Sequence, residues 1–371
     1  MKRIIIAAAL MFAGMSAASA QETPLWLRSN SISPDGSSIA FTYKGNIYIT
    51  DVKGGQARQL TTNPAYDSTP MWTPDGQNIV FSSTRERSKD IFMVPAKGGT
   101  PKRITTHPHN EALRTILDDG TIIFAAAIQQ DAQYGDFPGQ AQLYAVSPEG
   151  GRPEQVTSLP VMNMSVSKDG KVLYEDYKGY EDPFRKHHTS SVTRDIWLYT
   201  PAAGAKDFRI SPDGTFTKLS TFNGEDRNPV FAADGKTFYY LSEADGTINI
   251  YRCSIDSPGK SEQLTFYRHN PVRYLSISAN GTLCYSWDGE LYTLRPGAQP
   301  EKVNISIITD KIERDADYQT VGSGASHLAL SPTGKEVAVT VRGDVYITSV
   351  EHRSTKRITN TASQERGISF A

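Results

Sequence analysis

The sequence predicts an all-β fold, a six-bladed β-propeller of four-stranded antiparallel blades, and three observations carry that prediction. A glycine-ended turn recurs at Gly36, Gly76, Gly120, Gly170, Gly235, Gly281 and Gly334, with spacings of 40, 44, 50, 65, 46 and 53 residues. Those intervals centre on the ~40–50 residues of a propeller blade. Each turn lies between runs in which apolar and polar residues alternate, as strands with one covered face require. Each unit then closes on a short tail such as Gln59-Leu60-Thr61 or Arg103-Ile104-Thr105.

The first unit sets the pattern. In Ser33-Pro34-Asp35-Gly36 the proline presets φ and the glycine accepts the positive φ that other residues resist. Strands are expected at about Arg28–Ser33, Ser38–Tyr43, Asn46–Asp51 and Ala57–Thr61, with Ile39, Phe41 and Tyr43 on one face and Ala40 and Thr42 on the other. One such sheet cannot cover both its faces, so successive sheets stack radially, with Trp26, Trp72, Trp197 and Trp287 filling spaces between blades. Units one to six run from about Thr23 to Ile308, and each has four strands of its own, the sixth ending on Lys302–Ile307. The ring is therefore expected to close without strand exchange, by packing of blade one against blade six.

Two loops break the rhythm. Residues 129–139 lengthen blade three and Lys178–Arg194 lengthen blade four, each between the second and third strands. Long loops in a compact repeat are functional or disordered, and the aromatic and cationic content here argues for the former. A second Ser211-Pro212-Asp213-Gly214 is read as an enlarged hairpin of blade four. Residues 309–325 are polar and charged and read as a linker. The repeat restarts over 326–371, as one blade and, from Arg366 to Ala371, the opening strand of the next: the truncated start of a second propeller.

Residues 1–20 read as a cleavable signal peptide, with Lys2 and Arg3, an apolar Ile4–Phe12 run and Ala18-Ser19-Ala20. The apolar run is short of the ~20 residues a membrane span needs. The mature chain, from Gln21 onward, is thus expected outside the cytoplasm, in a Gram-negative bacterium in the periplasm, with no membrane insertion after cleavage. A formal charge of −1 gives no electrostatic case for nucleic acid. Cys253 and Cys284 lie in strands of successive units, and either bond across a blade interface or sit apart in the core.

No catalytic signature is present: no G-x-S-x-G elbow, no H-E-x-x-H and no phosphate-binding loop. Among seven histidines only His107-Pro108-His109 and His187-His188 are close together. A zinc site needs three or four converging ligands, so neither a metal nor a cofactor is expected. Arg114, Arg185, Lys186, His187, His188 and Arg194 are the candidate peptide-binding residues. For all but Arg114 the functional reading is a cationic lip that attracts a peptide carboxylate, and the bland one is that they satisfy buried carbonyls and aspartates of the blade-four loop.

The order Ser-Pro-Asp-Gly, Ile-Ala-Phe, Ile-Tyr-Ile and Gln-Leu-Thr is similar to the blades of TolB-type propellers. More specific are Lys178-Gly179-Tyr180 leading to Arg194-Asp195-Ile196-Trp197, the Leu219–Asp226 run, and six units followed by a linker and a restart. This combination resembles the N-terminal region of bacterial tricorn protease homologues. The resemblance implies a six-bladed propeller over 21–308, the start of a seven-bladed one over 326–371, and a serine peptidase core outside this chain. It implies no catalytic residue here, peptides as partners, and a homo-oligomer, a hexamer in the family. The adjacent arginine pair that anchors substrate carboxylates in the archaeal founder is not matched: the stretch reads Pro108-His109-Asn110, with Arg114 nearby. Two other readings are a stand-alone TolB-like scaffold that binds a protein partner and the propeller of a prolyl-oligopeptidase-type hydrolase.

Overall fold

The computed structural model describes residues 21–22, 24–128, 141–180, 182, 189–205, 209–308, 321–352 and 354–371. The expected signal peptide, most of the linker and parts of both long loops, Arg185 to His188 among them, lie outside the described residues. Internal contacts divide the chain at Thr309 and Asp310 into two units.

Among the described residues, the first unit holds six four-stranded antiparallel sheets, five of them built from consecutive strands and the first interrupted by the short strand Gly55–Gln56 before its last. Sheet one comprises Arg28–Ile32, Ser38–Tyr43, Asn46–Asp51 and Arg58–Gln59. Sheets two to six begin with Asp67–Trp72, Glu111–Ile116, Val161–Val166, Asp226–Phe231 and Arg273–Ile277. These first strands touch in succession, and the strand of sheet six touches that of sheet one. They therefore surround a common axis.

The recurring motifs have local causes. In sheet one Gly36 (φ 75°) donates its N–H to Ser33 O at 2.9 Å, and the Asp35 carboxylate accepts from Ser33 Oγ and from Ser37 N at 3.0 Å. Those bonds, the Ser33 hydroxyl first, hold the Asp35 carboxyl below its usual range. The tails cap the third strands: Thr61 Oγ1 accepts from Ile47 N at 3.0 Å, Thr105 from Ile91, Ser220 from Ile196 and Thr265 from Ile250, the last three at 2.9 Å. A buried N–H at a strand entrance is thereby satisfied in each case. Ser211–Gly214 forms a turn that leads into Thr215–Lys218, the outer strand of sheet four.

The core lies between successive sheets. Ile39, Phe41 and Tyr43 pack with Cys284 and Leu291 of sheet six, while Ala40 packs with Ile79 and Phe81 of sheet two. A fully buried side chain the size of Phe41 contributes about 2–3 kcal/mol. Trp72 joins two sheets through Nε1–H to Ser31 O at 3.0 Å, but Trp26 is half exposed and fills no interior space. Cys253 and Cys284 are both buried and free, in separate core clusters.

The expected single strand Lys302–Ile307 is divided. Glu301–Lys302 completes sheet six, whereas Ile305–Ile308 pairs in parallel with Gly55–Gln56 on the rim of sheet one and, on its other side, with Gln21–Glu22. Ile305 and Ile307 gain burial there beside Leu27 and Ala57. Ile305–Ile308 thus forms a strap on the rim of sheet one, outside the four-stranded sheets.

The second unit contains one four-stranded sheet, Ala325–Leu330, Glu336–Val341, Asp344–Ser349 and Thr355–Arg357. Its tail repeats the cap, with Val345 N donating to Thr359 Oγ1 at 2.9 Å. Arg366–Ala371, expected as a strand, pairs with no strand among the described residues.

Candidate functional site

The first strands carry the irregular geometry of the first unit. Each is bulged against its neighbour, with register shifts at Arg28/Ser31, Ser68/Met71, Leu113/Thr115, Val161/Met164, Arg227/Val230 and Arg273/Ser276. In four of them a residue seven positions before the turn glycine is left-handed: Ser29 (φ 50°), Thr69 (54°), Asn228 (53°) and Tyr274 (56°). A bulge re-aims the side chains beside it. The residues immediately before three of these are Arg28, Arg227 and Arg273.

Hydrogen bonds between sheets fix this arc. Leu275 N donates to Asn228 Oδ1 at 3.0 Å, Asn228 Nδ2 to Leu275 O at 3.1 Å, and Asn30 Nδ2 to Tyr274 O at 2.8 Å. Burial, reinforced by the charges of Arg227 and Arg28, pushes the Arg273 guanidinium down to about 10, against the opposing pull of Tyr274 and Asp182. It remains a cation at neutral pH.

Across the axis lies a second cationic group. Arg114 Nε donates to Val161 O at 3.1 Å, and burial pushes this guanidinium down to about 10 although Glu175 opposes the shift. The Arg194 charge adds to the lowering, which places the two sequence-predicted arginines within each other's field. Burial and the charge of Arg114 likewise lower Lys89. Arg114 keeps some exposed surface.

Arg194 is buried instead. Its Nη1 lies 3.2 Å from Glu175 Oε1 and 3.8 Å from Glu225 Oε1, and Glu225 also faces Arg227 Nη1 at 3.6 Å. Glu175 Oε2 accepts from Asn228 N at 2.7 Å. In the blade-four loop, Lys178 Nζ reaches Asp195 Oδ2 at 2.6 Å and Thr193 O at 2.7 Å. Arg194 and Lys178 thus hold this loop to its sheet, the bland reading of those charges. Arg185, Lys186, His187 and His188 lie outside the described residues.

Two acids nearby hold protons tightly. Burial pushes Asp226 up to about 7, with Asp195, Glu225 and Glu243 reinforcing it. Burial also pushes Glu111 up to about 7, although Thr105 Oγ1 donates a hydrogen bond to it. Among the described residues no three His, Cys, Asp or Glu are arranged to hold a metal. A cavity of about 380 Å³ at the outer seam offers little chemistry: its charged groups, Glu290 and Lys302, pair with each other at 2.5 Å. What the axis can do is attract and orient anions.

Reasoning from sequence singled out Arg114 and Arg194 and missed Arg28, Lys89, Arg227 and Arg273. A signal was present: Arg28, Arg227 and Arg273 each stand eight residues before a turn glycine.

Residues 24–300 match the family described as Tricorn protease N-terminal beta propeller domain. Tricorn protease homolog 2 of Streptomyces coelicolor is 23% identical over 331 residues, covering 84% of this chain and 26% of its own length. Tricorn protease homolog 1 of the same organism is 25% identical, over 86% of this chain and 28% of its own. The chain therefore spans about a quarter of the length of these curated relatives. The crystal structure of the tricorn protease shares the fold, with a TM-score of 0.61 at 19% identity, over 91% of this chain and 32% of that one.

Proposed function

The chain belongs to the Tricorn protease N-terminal beta propeller domain family, and on that premise we propose that residues 21–308 form the six-bladed, non-catalytic propeller of a tricorn-like serine peptidase. In this reading the ring guides or gates peptides to or from a catalytic core outside this chain, in the periplasm, and 326–371 begins a second propeller. A homo-oligomeric parent belongs to the same proposal.

One observation carries the reading. The first strands of six sheets touch in succession, and arginines stand on them and a lysine on a strand beside them, together with the buried acids Asp67, Glu111 and Asp226. Guanidinium groups that stay charged at neutral pH are suited to hold and orient an anion. They suit conduction and orientation of peptides, which carry at least one carboxylate when their C-terminus is free.

The test has two arms. The purified chain is expected to leave fluorogenic peptides intact, and robust hydrolysis would overturn the non-catalytic role. A photoreactive peptide incubated with the purified chain is expected to label the first strands, such as Arg28–Ile32 and Arg273–Ile277. Labelling confined to outer strands would overturn conduction along the axis.

A further inference from the structure

We propose that Trp26 and Tyr66 form an apolar contact site at one mouth of the axis, and that this site selects peptides carrying aromatic or large aliphatic side chains. The proposal rests on the peptide-guiding reading and deepens it by naming a class of substrate.

The two rings occupy equivalent places. Tyr66 immediately precedes the first strand of sheet two, and Trp26 stands two residues before that of sheet one. Because the six sheets repeat one order of strands, residues that lead into first strands share one mouth of the axis. In both places the residue after the aromatic donates its N–H to the glycine carbonyl of a hairpin turn in the adjoining sheet, Leu27 to Gly289 at 2.9 Å and Asp67 to Gly45 at 2.8 Å. The turns match as well, with φ 52° and 80° at Asp288-Gly289 and 49° and 80° at Lys44-Gly45. A Cβ on either glycine would press on the aromatic residue, at 3.0 Å from Trp26 N and 3.1 Å from Tyr66 Cδ2. Each aromatic residue is therefore seated on bare turn backbone, yet Trp26 remains 50% and Tyr66 49% exposed.

The fold does not require a ring at this seat. It recurs in the second unit, where Glu365 N donates to Gly343 O at 2.8 Å and a Cβ on Gly343 would stand 3.1 Å from Gln364 Cγ. There a polar glutamine serves. Trp26 is also strained, with φ 66° in a region that bulky residues resist. A strained backbone that leaves a large aromatic side chain in water on a fixed seat is suited to contact with a partner.

Position identifies that partner. Burial raises the proton affinity of the Tyr274 phenol, and Tyr66 adds to the rise. Tyr274 lies on the first strand of sheet six, with sheet one between it and Tyr66, so the Tyr66 ring leans across the start of sheet one toward the axis. A peptide entering the axis passes this ring and meets Trp26 beside it. Aromatic faces attract apolar and aromatic side chains, so the contact favours such residues over small polar ones.

The experiment titrates the full chain by calorimetry with three hexapeptides, all with both ends capped: one with two phenylalanines among serines, one with two leucines among serines, and one of serine and glycine only. Both apolar peptides are expected to bind about tenfold tighter than the polar one, with tryptophan emission shifted to the blue. Trp26→Gln and Tyr66→Gln bring in the side chain that Gln364 places on the same seat, and each should weaken the apolar peptides about tenfold. Tyr66→Phe should bind as the parent does, and Phe216→Ala, on the outer strand of sheet four, should change nothing. The blue shift should vanish in Trp26→Gln. Unchanged thermal unfolding separates lost binding from lost fold, and Tyr66→Gln decides if Trp26→Gln unfolds. Equal affinity for the three peptides overturns apolar selection and leaves peptide guidance intact. Unchanged affinity in the folded glutamine variants, or no binding of any peptide at millimolar concentration, overturns the inference, while guidance is judged separately by photolabelling of the first strands. Self-association in sedimentation that Trp26→Gln abolishes, without peptide binding, would assign the rings to a second copy of the chain and overturn it too.

Discussion

Replacing Gly54 by alanine tests how the ring is held shut. Gly54 has φ 89°, and a Cβ on it would stand 2.4 Å from Asn304 O and 3.0 Å from Asn304 N, both backbone atoms of the strap. The left-handed backbone alone costs alanine about 1 kcal/mol. The contact cannot be relieved by a side-chain rotation, so Asn304 must retreat. That retreat strains the bonds from Gly55 N to Asn304 O and from Ala57 N to Ser306 O, both 2.8 Å, at about 1 kcal/mol each. It also uncovers part of Ile305 and Ile307, for about another 1 kcal/mol. The total is about 4 kcal/mol, or roughly 8 °C in Tm at about 2 °C per kcal/mol for a chain of this size. Gly246→Ala is the control, because Gly246 has φ 79° with nothing within 4 Å of a Cβ and should lose only about 1 kcal/mol. Calorimetry and amide exchange read the outcome. Equal, small Tm shifts in both variants, with unchanged exchange at Gly55 and Ala57, would refute the strap as a closing element.

Other substitutions probe the interior. Asp226 and Glu111 keep their protons to about pH 7 when folded, against ordinary values of 3.8 and 4.5, so the folded chain binds more protons between about pH 4 and 7 and stability falls as pH rises through that window. Asp226→Asn is expected to flatten the decline in Tm between pH 5 and 7.5, and a variant that declines as steeply as the parent would contradict the assignment. Glu175→Gln leaves buried Arg194 with only Glu225 at 3.8 Å and should cost about 3 kcal/mol, whereas Glu154→Gln in an exposed pair should cost under about 0.5 kcal/mol. Chemical unfolding of both compares them, and equal midpoints would argue against a structural role for the pair. Thr61→Val keeps shape but strands the Ile47 N–H, for about 2 kcal/mol, while exposed Thr215→Val is expected to be neutral in the same measurement.

The sheets were legible in the sequence because each motif acts locally. A Ser-Pro-Asp-Gly turn binds its own flanks, and a Leu-Thr tail caps the strand fourteen or so residues earlier, so neither depends on distant context. The strap was not legible for the converse reason. Alternation at Ile305 and Ile307 announces a strand with one covered face, and it reads the same whether the partner is Glu290–Leu294 or the rim of sheet one. What decides is the glycine at position 54, whose missing side chain admits Asn304, and a glycine in a turn has too many ordinary uses to reveal that one.

The axis shows where sequence reasoning fails and why the failure is informative. Arg114 was singled out for standing near Pro108-His109-Asn110 and Arg194 for ending the blade-four loop; Arg194 is a buried partner of Glu175, while Arg28, Arg227 and Arg273 each resemble an ordinary surface charge when read alone. Arg273 and Arg28 become neighbours only because sheet six meets sheet one, which no local pattern states. The same strands hold non-glycine residues at φ near 50°, a strain of about 1 kcal/mol each, sustained by the side-chain bonds of Asn30 and Asn228. All six first strands are bulged, whereas among the outer ladders of the first unit only that of Glu154–Thr157 shifts register.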